Sequence, residues 1–307
     1  MNEFIFIFTS IILPIGLIVG TGHVIQLKFK LDRSTLAKLS IHYVMPAFIF
    51  MSLYESSIDF SLLFGVMLFL ILYALLSFIL SRLIAKAMKL DKDRTVLFTN
   101  ANLFYNAGNY GVPVNDLVFR SDPYAMSIQV ILVVFQNMFA FSYGIFSLSA
   151  KNVGRAKALL SYFKMPIFYG LLLGLIFNYF HLPMPAPFET ALDYMRNVMI
   201  GLVLFILGAQ IAGIRFSRLR WSAFVGALAR LIIGPALAFA MLMLFNMEGV
   251  VAQVILITSA MPAAVNSSII AQEYSDDPEY AAEIVMMSTL LSSVTVSAII
   301  YIALAVF

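Results

Sequence analysis

The chain of 307 residues has no cysteine, one tryptophan and three histidines. Without a thiol there is no disulfide, no thiolate metal site and no cysteine nucleophile. His23, His42 and His181 lie far apart and form no ligand motif, so neither a metal nor another cofactor is expected. Charge is scarce too: 11% of the residues are charged, where about a quarter is usual in a soluble domain. A basic region is missing from the start, Met1-Asn2-Glu3-Phe4, and the apolar run that follows continues to about Gln26. That is too long for the apolar core of a cleaved signal, and it predicts a retained first membrane span.

Hydrophobic residues make up 62% of the chain, and the mean hydropathy is +0.96. The composition predicts an all-α polytopic membrane protein whose main partner is the lipid bilayer. A net charge of +3 raises the question of nucleic acid, but the basic residues sit in short clusters between apolar runs, and no nucleic-acid partner is expected.

Ten apolar segments can be drawn, at 4–27, 35–54, 60–85, 95–118, 124–149, 162–180, 188–212, 221–246, 249–272 and 280–306. Lys28, Lys30, Arg33 and Lys38 follow the first; Arg82, Lys86, Lys89, Lys92 and Arg94 the third; Lys151, Arg155, Lys157 and Lys164 the fifth; Arg215, Arg218 and Arg220 the seventh. Sixteen of the 19 basic residues therefore fall in alternate connections. By the rule that Lys and Arg collect on the cytoplasmic side, both termini are expected outside the cytoplasm, in a multi-pass protein of the inner (plasma) membrane. The ninth connection, Glu273 to Glu279, is acidic although it belongs on the basic side. Acidic residues count little in this rule, and the assignment survives.

A weak internal repeat accompanies this pattern. Pro14-Ile15 answers to Pro166-Ile167, Val44-Met45 to Val198-Met199, and Pro113 to Pro262, all at offsets near half the chain. The expected halves, residues 1–149 and 162–307, would each hold five spans, an odd number, and so would be inverted with respect to one another.

Two spans are interrupted at corresponding places. Span four carries Asn106-Ala107-Gly108-Asn109-Tyr110-Gly111-Val112-Pro113, and span nine carries Pro262 followed by Asn266-Ser267-Ser268. Breakers and amides at membrane depth are tolerated where protein or a watery cavity satisfies the freed backbone. Paired interruptions of this kind are the best sequence pointer to a transporter binding site. The helices are expected to open near Pro113 and Pro262. The new half-helix N-termini would then carry partial positive charge towards one anion. Gly108 and Gly111 would allow close backbone approach, and Asn106, Asn109 and Asn266 would bind a carboxylate or satisfy opened backbone. Lone prolines such as Pro46 and Pro235 are read as simple kinks.

These residues resemble the auxin efflux carrier family. The resemblance rests on Asn-x-Gly-Asn-x-Gly-x-Pro in span four, Met261-Pro262-Ala263-Ala264-x-Asn266 in span nine, Ala271-x-x-Tyr274, and the Ser-Thr-Leu-Leu-Ser run at 288–292. It covers essentially the whole chain. It implies ten transmembrane helices in two inverted five-helix repeats, related in fold to bile-acid/sodium symporters, with discontinuous helices 4 and 9 crossing at the midplane. Helices 1, 2, 6 and 7 would form a scaffold domain, through which a homodimer is a further expectation; helices 3–5 and 8–10 would form a transport domain. The short fifth connection, where plant carriers have a long hydrophilic loop, resembles the bacterial branch and its organic-acid substrates.

The polar residues left in spans have two readings each. Gln136, matched to a glutamine of the resembling family, and Asn137 either line the site or bond a neighbouring span. Ser267 and Pro262 belong to the same candidate set. Arg230 lies about ten residues into span eight, where an unpaired charge is costly; it either balances a carboxylate or holds carbonyls of the broken helices. Asp116 either accepts a coupling proton or sodium, or faces outer water. Arg196 is expected to pair with Asp193 on the same helix turn, and Gln210 to reach the headgroups.

The expected function is secondary transport of a small organic anion, a mono- or dicarboxylate, by elevator-type alternating access. An intramembrane enzyme would need a nucleophile with a base, facing aspartates or a metal cluster, which the sequence does not offer. A passive channel or a carboxylate receptor are the other readings.

Overall fold

The computed structural model of the chain describes residues 2–56, 60–148, 165–214 and 220–307. Asp59, the basic residues 151–164, Arg215 and Arg218, and the repeat boundaries at 149 and 162, lie outside the described residues. Among those described there are twelve helices: α1 Phe4–Phe29, α2 Arg33–Tyr54, α3 Ser61–Ala87, α4 Lys92–Leu103, α5 Val112–Phe119, α6 Pro123–Leu148, α7 Pro166–Tyr179, α8 Ala186–Ala212, α9 Trp221–Leu244, α10 Gly249–Ser259, α11 Val265–Tyr274 and α12 Pro278–Val306. Seven of them, α1, α2, α3, α6, α8, α9 and α12, are long and apolar enough to cross a membrane. The described residues contain no strand, only one isolated antiparallel bridge between Tyr105 and Ala263.

An all-helical chain of this hydropathy follows from backbone chemistry, since a helix satisfies its own N–H and C=O groups where no water can. The outer surface agrees. Leu17, Phe64 and Leu244 are 63%, 72% and 76% exposed. In water such a surface would aggregate, whereas in lipid it is the solvated face.

Helix ends are capped on the faces that meet water. Asp32 accepts the Ser34 and Thr35 N–H groups before α2, Asp91 accepts that of Arg94 before α4, and Asp122 accepts that of Ala125 before α6. Lys30 and Arg120 end α1 and α5 in the left-handed region, at φ 51° each.

Two sets of contacts position the site. α1 packs on α8, and α2 packs on both α7 and α8. The first of these contacts is close because Gly22 and Gly208 have no side chains: a Cβ on either would strike a carbonyl oxygen, of Phe205 or of Val19. On the other side α3 packs on α4, α10 on α6 and α12, and both α9 and α11 on α12.

The acidic ninth connection finds its explanation here. Asp277 meets Arg94 Nε at 3.1 Å and Arg220 at 2.6 Å, and Arg220 Nε also meets Glu283 at 3.0 Å. The connection thus neutralises basic residues at the starts of α4 and α9. Burial by itself would push the Asp277 carboxyl up, but the Arg220 and Arg94 guanidiniums outweigh it and hold the group below the usual carboxylate range. At the opposite face Arg196 pairs with Asp193 at 2.7 Å, as its spacing predicts, and also with Glu55 at 2.5 Å, tying α8 to the end of α2.

Candidate functional site

The first interrupted segment breaks earlier than its proline. α4 ends at Leu103, Phe104 is extended, and a wide π-type turn over Ala107–Gly111 leads into α5. Pro113 directly follows this wide turn, in a helix already begun at residue 107, and the turn's extra residue accommodates the ring and the missing N–H. The expected opening at Pro113 is therefore corrected to residues 104–106, and Asn106 starts the new helix: its Oδ1 accepts the Asn109 N–H at 3.2 Å. The second segment breaks at its proline. α10 ends at Ser259, and α11 starts at Val265 after an extended Ala264.

The two breaks satisfy each other. Asn106 N–H donates to Pro262 O at 2.8 Å, and Ala264 N–H donates to Phe104 O at 2.7 Å. Ala263 N–H donates to Ser288 Oγ at 3.1 Å, so α12 supplies an acceptor that the backbone does not. Backbone groups released in the middle of apolar segments are in this way closed by a two-strand contact and one serine.

A small cavity lies beside this contact, about 30 Å³ in volume, and the turn 107–111 and the start of α11 both border it. Five amide side chains line it: Asn106, Asn109, Gln136, Asn137 and Asn266. Phe104 and Tyr105 form part of its wall, and no Asp, Glu, His, Lys or Arg does. The space holds about one water, which needs roughly 10–15 Å³ on this measure. Two of the amides keep a buried polar atom without a partner, Asn106 Nδ2 and Gln136 Oε1. Gly108 also lines the cavity, and a Cβ there would come within 2.8 Å of Met45 Cε on α2.

The remaining sequence candidates stand around the cavity rather than in its lining. Gly111 makes room for Gln129, whose Nε2 would be 2.9 Å from a Cβ. Pro262 contributes the carbonyl that Asn106 uses, and Ser267 turns its hydroxyl back to Ala264 O at 2.7 Å. Asp116 is partly exposed near the end of α5 and accepts the Ser121 hydroxyl at 3.0 Å. Gln210, expected at the headgroups, is instead buried at 7% exposure.

Arg230 is 1% exposed, in a π-type turn of α9 over Ala229–Ile233. Its guanidinium donates to Asn102 O at 2.8 Å, to Ser259 O, and to Tyr73 Oη at 3.2 Å, and lies 5.1 Å from the centre of the Tyr105 ring. Asn102 and Ser259 are in the last turns of α4 and α10. Each helix C-terminus carries about half a negative charge, so two of them together offset roughly one cation. Wide turns of this kind inside helices are frequent at functional sites, and this one aims the guanidinium at both breaks.

Sequence reasoning missed a second polar group. Asn115 Nδ2 donates to Gln129 Oε1 at 2.8 Å and to Thr258 Oγ1 at 2.9 Å, Thr258 donates to Gln129 Oε1 at 2.6 Å, and Gln129 Nε2 donates to Ala107 O at 2.7 Å. All three side chains are fully buried, and they lock the turn 107–111 and α5 to α6 and α10. The available signal was weak: three isolated polar residues on three apolar segments whose adjacency no spacing reveals.

Comparison with known proteins points to membrane transport. Residues 153–300 match the family described as Membrane transport protein. Over 294 residues the chain is 26% identical to an uncharacterized transporter of Methanothermobacter thermautotrophicus, covering 94% of this chain and 95% of that protein. A second uncharacterized transporter, of Methanocaldococcus jannaschii, is 25% identical over 134 residues, 43% of this chain and 40% of its own length. The class is a multi-pass membrane transporter. These matches support the membrane transport family, the auxin efflux carrier-like group that the motifs of the chain resemble.

Proposed function

We propose that the protein is a secondary transporter of small organic anions, mono- or dicarboxylates, bound at the amide-lined cavity. The observation that carries this reading is the pairing of the two breaks beside five convergent amides, one of which, Asn106, keeps an unpartnered buried donor, Nδ2. Amide N–H groups and two half-helix N-termini are the donors a dehydrated carboxylate requires, and they form an anion site without a lysine. In this reading the chain is two inverted five-helix repeats whose broken spans cross near the midplane. α1, α2, α7 and α8 form the scaffold, against which the other helices carry the site from one face to the other.

The packing of α1 and α2 on α7 and α8 supports that division, as does the closeness of Gly108 to Met45 of α2. The cavity lining offers no carboxylate or histidine to hold a coupling proton, so the reading includes uniport of net negative charge, with Asp116 the reserve candidate for coupling to a proton or sodium. In the same reading both termini lie outside the cytoplasm, as the basic connections suggest. A homodimer through the scaffold is part of the same proposal.

Uptake of radiolabelled mono- and dicarboxylates into proteoliposomes, under imposed proton, sodium or electrical gradients, tests it. Saturable uptake driven by membrane potential is expected. Asn109→Ala should lower it at least about tenfold, the cost of one hydrogen bond to a charged group, with normal protein yield. Binding without flux would transfer the reading to a receptor, and an Asn109→Ala variant that transports normally would remove the site assignment.

A further inference from the structure

A second cavity, about 620 Å³, opens at the turn between α1 and α2 and runs between the end of α8 and α11. Its rim carries Lys30, Arg33 and Asp32, and deeper in it are Gln26, Gln210 and Ser268. The Asp32 carboxylate is engaged by the Ser34 and Thr35 N–H groups and the Thr35 hydroxyl, while among the described residues neither Lys30 nor Arg33 is ion-paired. Arg33 is set against the end of α8 at Gly213, where a Cβ would collide with its guanidinium. Gln26 Oε1 and Gln210 Oε1 are both buried without a partner.

One residue belongs to the lining of both cavities, Val265, the first of α11, at 4% exposure. On one side of it is a polar space large enough for a small organic acid; on the other is the amide-lined cavity, with room for about one water. We infer that this vestibule is the access route to the central cavity from the basic face, that Val265 is its gate, and that Lys30 and Arg33 make its mouth selective for anions. The inference rests on reading the amide-lined cavity as the substrate site. A valine suits the position: it is apolar enough to keep a hydrated ion out of a closed site. It is also short enough that a small displacement of α11 joins the two spaces.

The absence of cysteine makes the test direct. Ala140, on α6, lines the central cavity, and Gln272 lines the vestibule in front of the gate. Ala140→Cys and Gln272→Cys are labelled separately, in membrane vesicles of known orientation, with anionic sulfonatoethyl and cationic trimethylammonioethyl methanethiosulfonate added to the basic face. The Gln272→Cys thiol should react rapidly in every background, which reports a folded protein with an open vestibule. The Ala140→Cys thiol should react more slowly, several-fold faster with Val265→Ala added, and at least tenfold slower with Val265→Phe. The anionic reagent should be preferred roughly tenfold, a modest electrostatic focusing effect, and the preference should vanish in Lys30→Gln/Arg33→Gln.

Labelling of Ala140→Cys that ignores the size of residue 265, or that shows no charge preference, overturns the inference. The measurement needs neither substrate nor flux. If uptake fails while gating holds, the route stands and only the transport reading falls; if uptake succeeds while gating fails, the substrate takes another path.

Discussion

The two interrupted segments do the same backbone job with different means. In the first, residues 104–113, side chains carry the burden: Asn106 starts the new helix, Asn106 and Asn109 face the cavity, and Gly108 lets α2 approach. In the second, residues 259–266, the backbone carries it. Pro262 contributes a carbonyl, Ala263 and Ala264 contribute N–H groups, and Asn266 alone brings an amide to the cavity. The difference teaches that a crossed pair of breaks can divide its labour. One arm supplies ligand chemistry, and the other supplies the frame that holds it.

Arg230 is where this contrast meets its hardest test, because it holds the C-terminal ends of both first halves. Arg230→Met removes the cation but keeps much of the volume, leaving two helix C-termini uncompensated. A loss of about 3–5 kcal/mol in stability is expected, read as a fall in thermal midpoint in detergent, with both arms loosened together. If one arm alone became accessible to proteolysis, the two breaks would not share this anchor.

Next in size is the support peculiar to the first arm. Gln129→Ala strips Asn115, Thr258 and Ala107 O of their partner, and should cost about 2–3 kcal/mol and slow transport through misplaced Asn106 and Asn109. The corresponding support of the second arm is a single hydrogen bond. Ser288→Ala should cost about 1–2 kcal/mol by leaving the Ala263 N–H unpaired. Equal losses in the two variants, measured by the same thermal midpoints, would erase the distinction between an arm built from side chains and one built from backbone.

The smallest effect lies where α11 hands over to α12. Asp277, held below its ordinary pKa by Arg220 and Arg94 against the opposing effect of burial, contributes stability at neutral pH. The sign follows from that direction: the contribution is full above about pH 4, the unfolded value, and fades as pH falls through the lower folded one. Because Asp277 is only partly buried and still reached by solvent, no more than about 1 kcal/mol is at stake. Asp277→Asn should flatten the acid limb of a stability–pH curve, and an unchanged limb would show that this pairing does not anchor the second arm.

Much of this molecule was legible along the chain. Apolar run lengths gave the helices, since lipid accepts few backbone solutions, and the density of Gly, Pro and Asn at 106–113 marked a break because such residues are costly in an unbroken buried helix. The alternation of basic connections is a pattern of the same local kind. An asparagine near a glycine and a proline is a local fact, and so is a proline amid an apolar run.

What the chain could not declare was adjacency. Asn115, Gln129 and Thr258 are single polar residues on separate segments, and only packing brings them within hydrogen-bonding distance. Pro113 read as the point of opening, yet the helix opens at 104–106, because the wide turn at 107–111 absorbs the proline and Asn106 can start a helix by itself. The partner of Arg230 was unnamed in sequence for the same reason: it is not a carboxylate but two helix ends, Asn102 and Ser259, far apart in the chain. Sequence by itself determined what each segment tolerates, through the cost of burying backbone and charge. Tertiary structure decided which freed groups would meet, because that depends on contacts between separate segments, more than a hundred positions apart for both backbone bonds that join the two breaks.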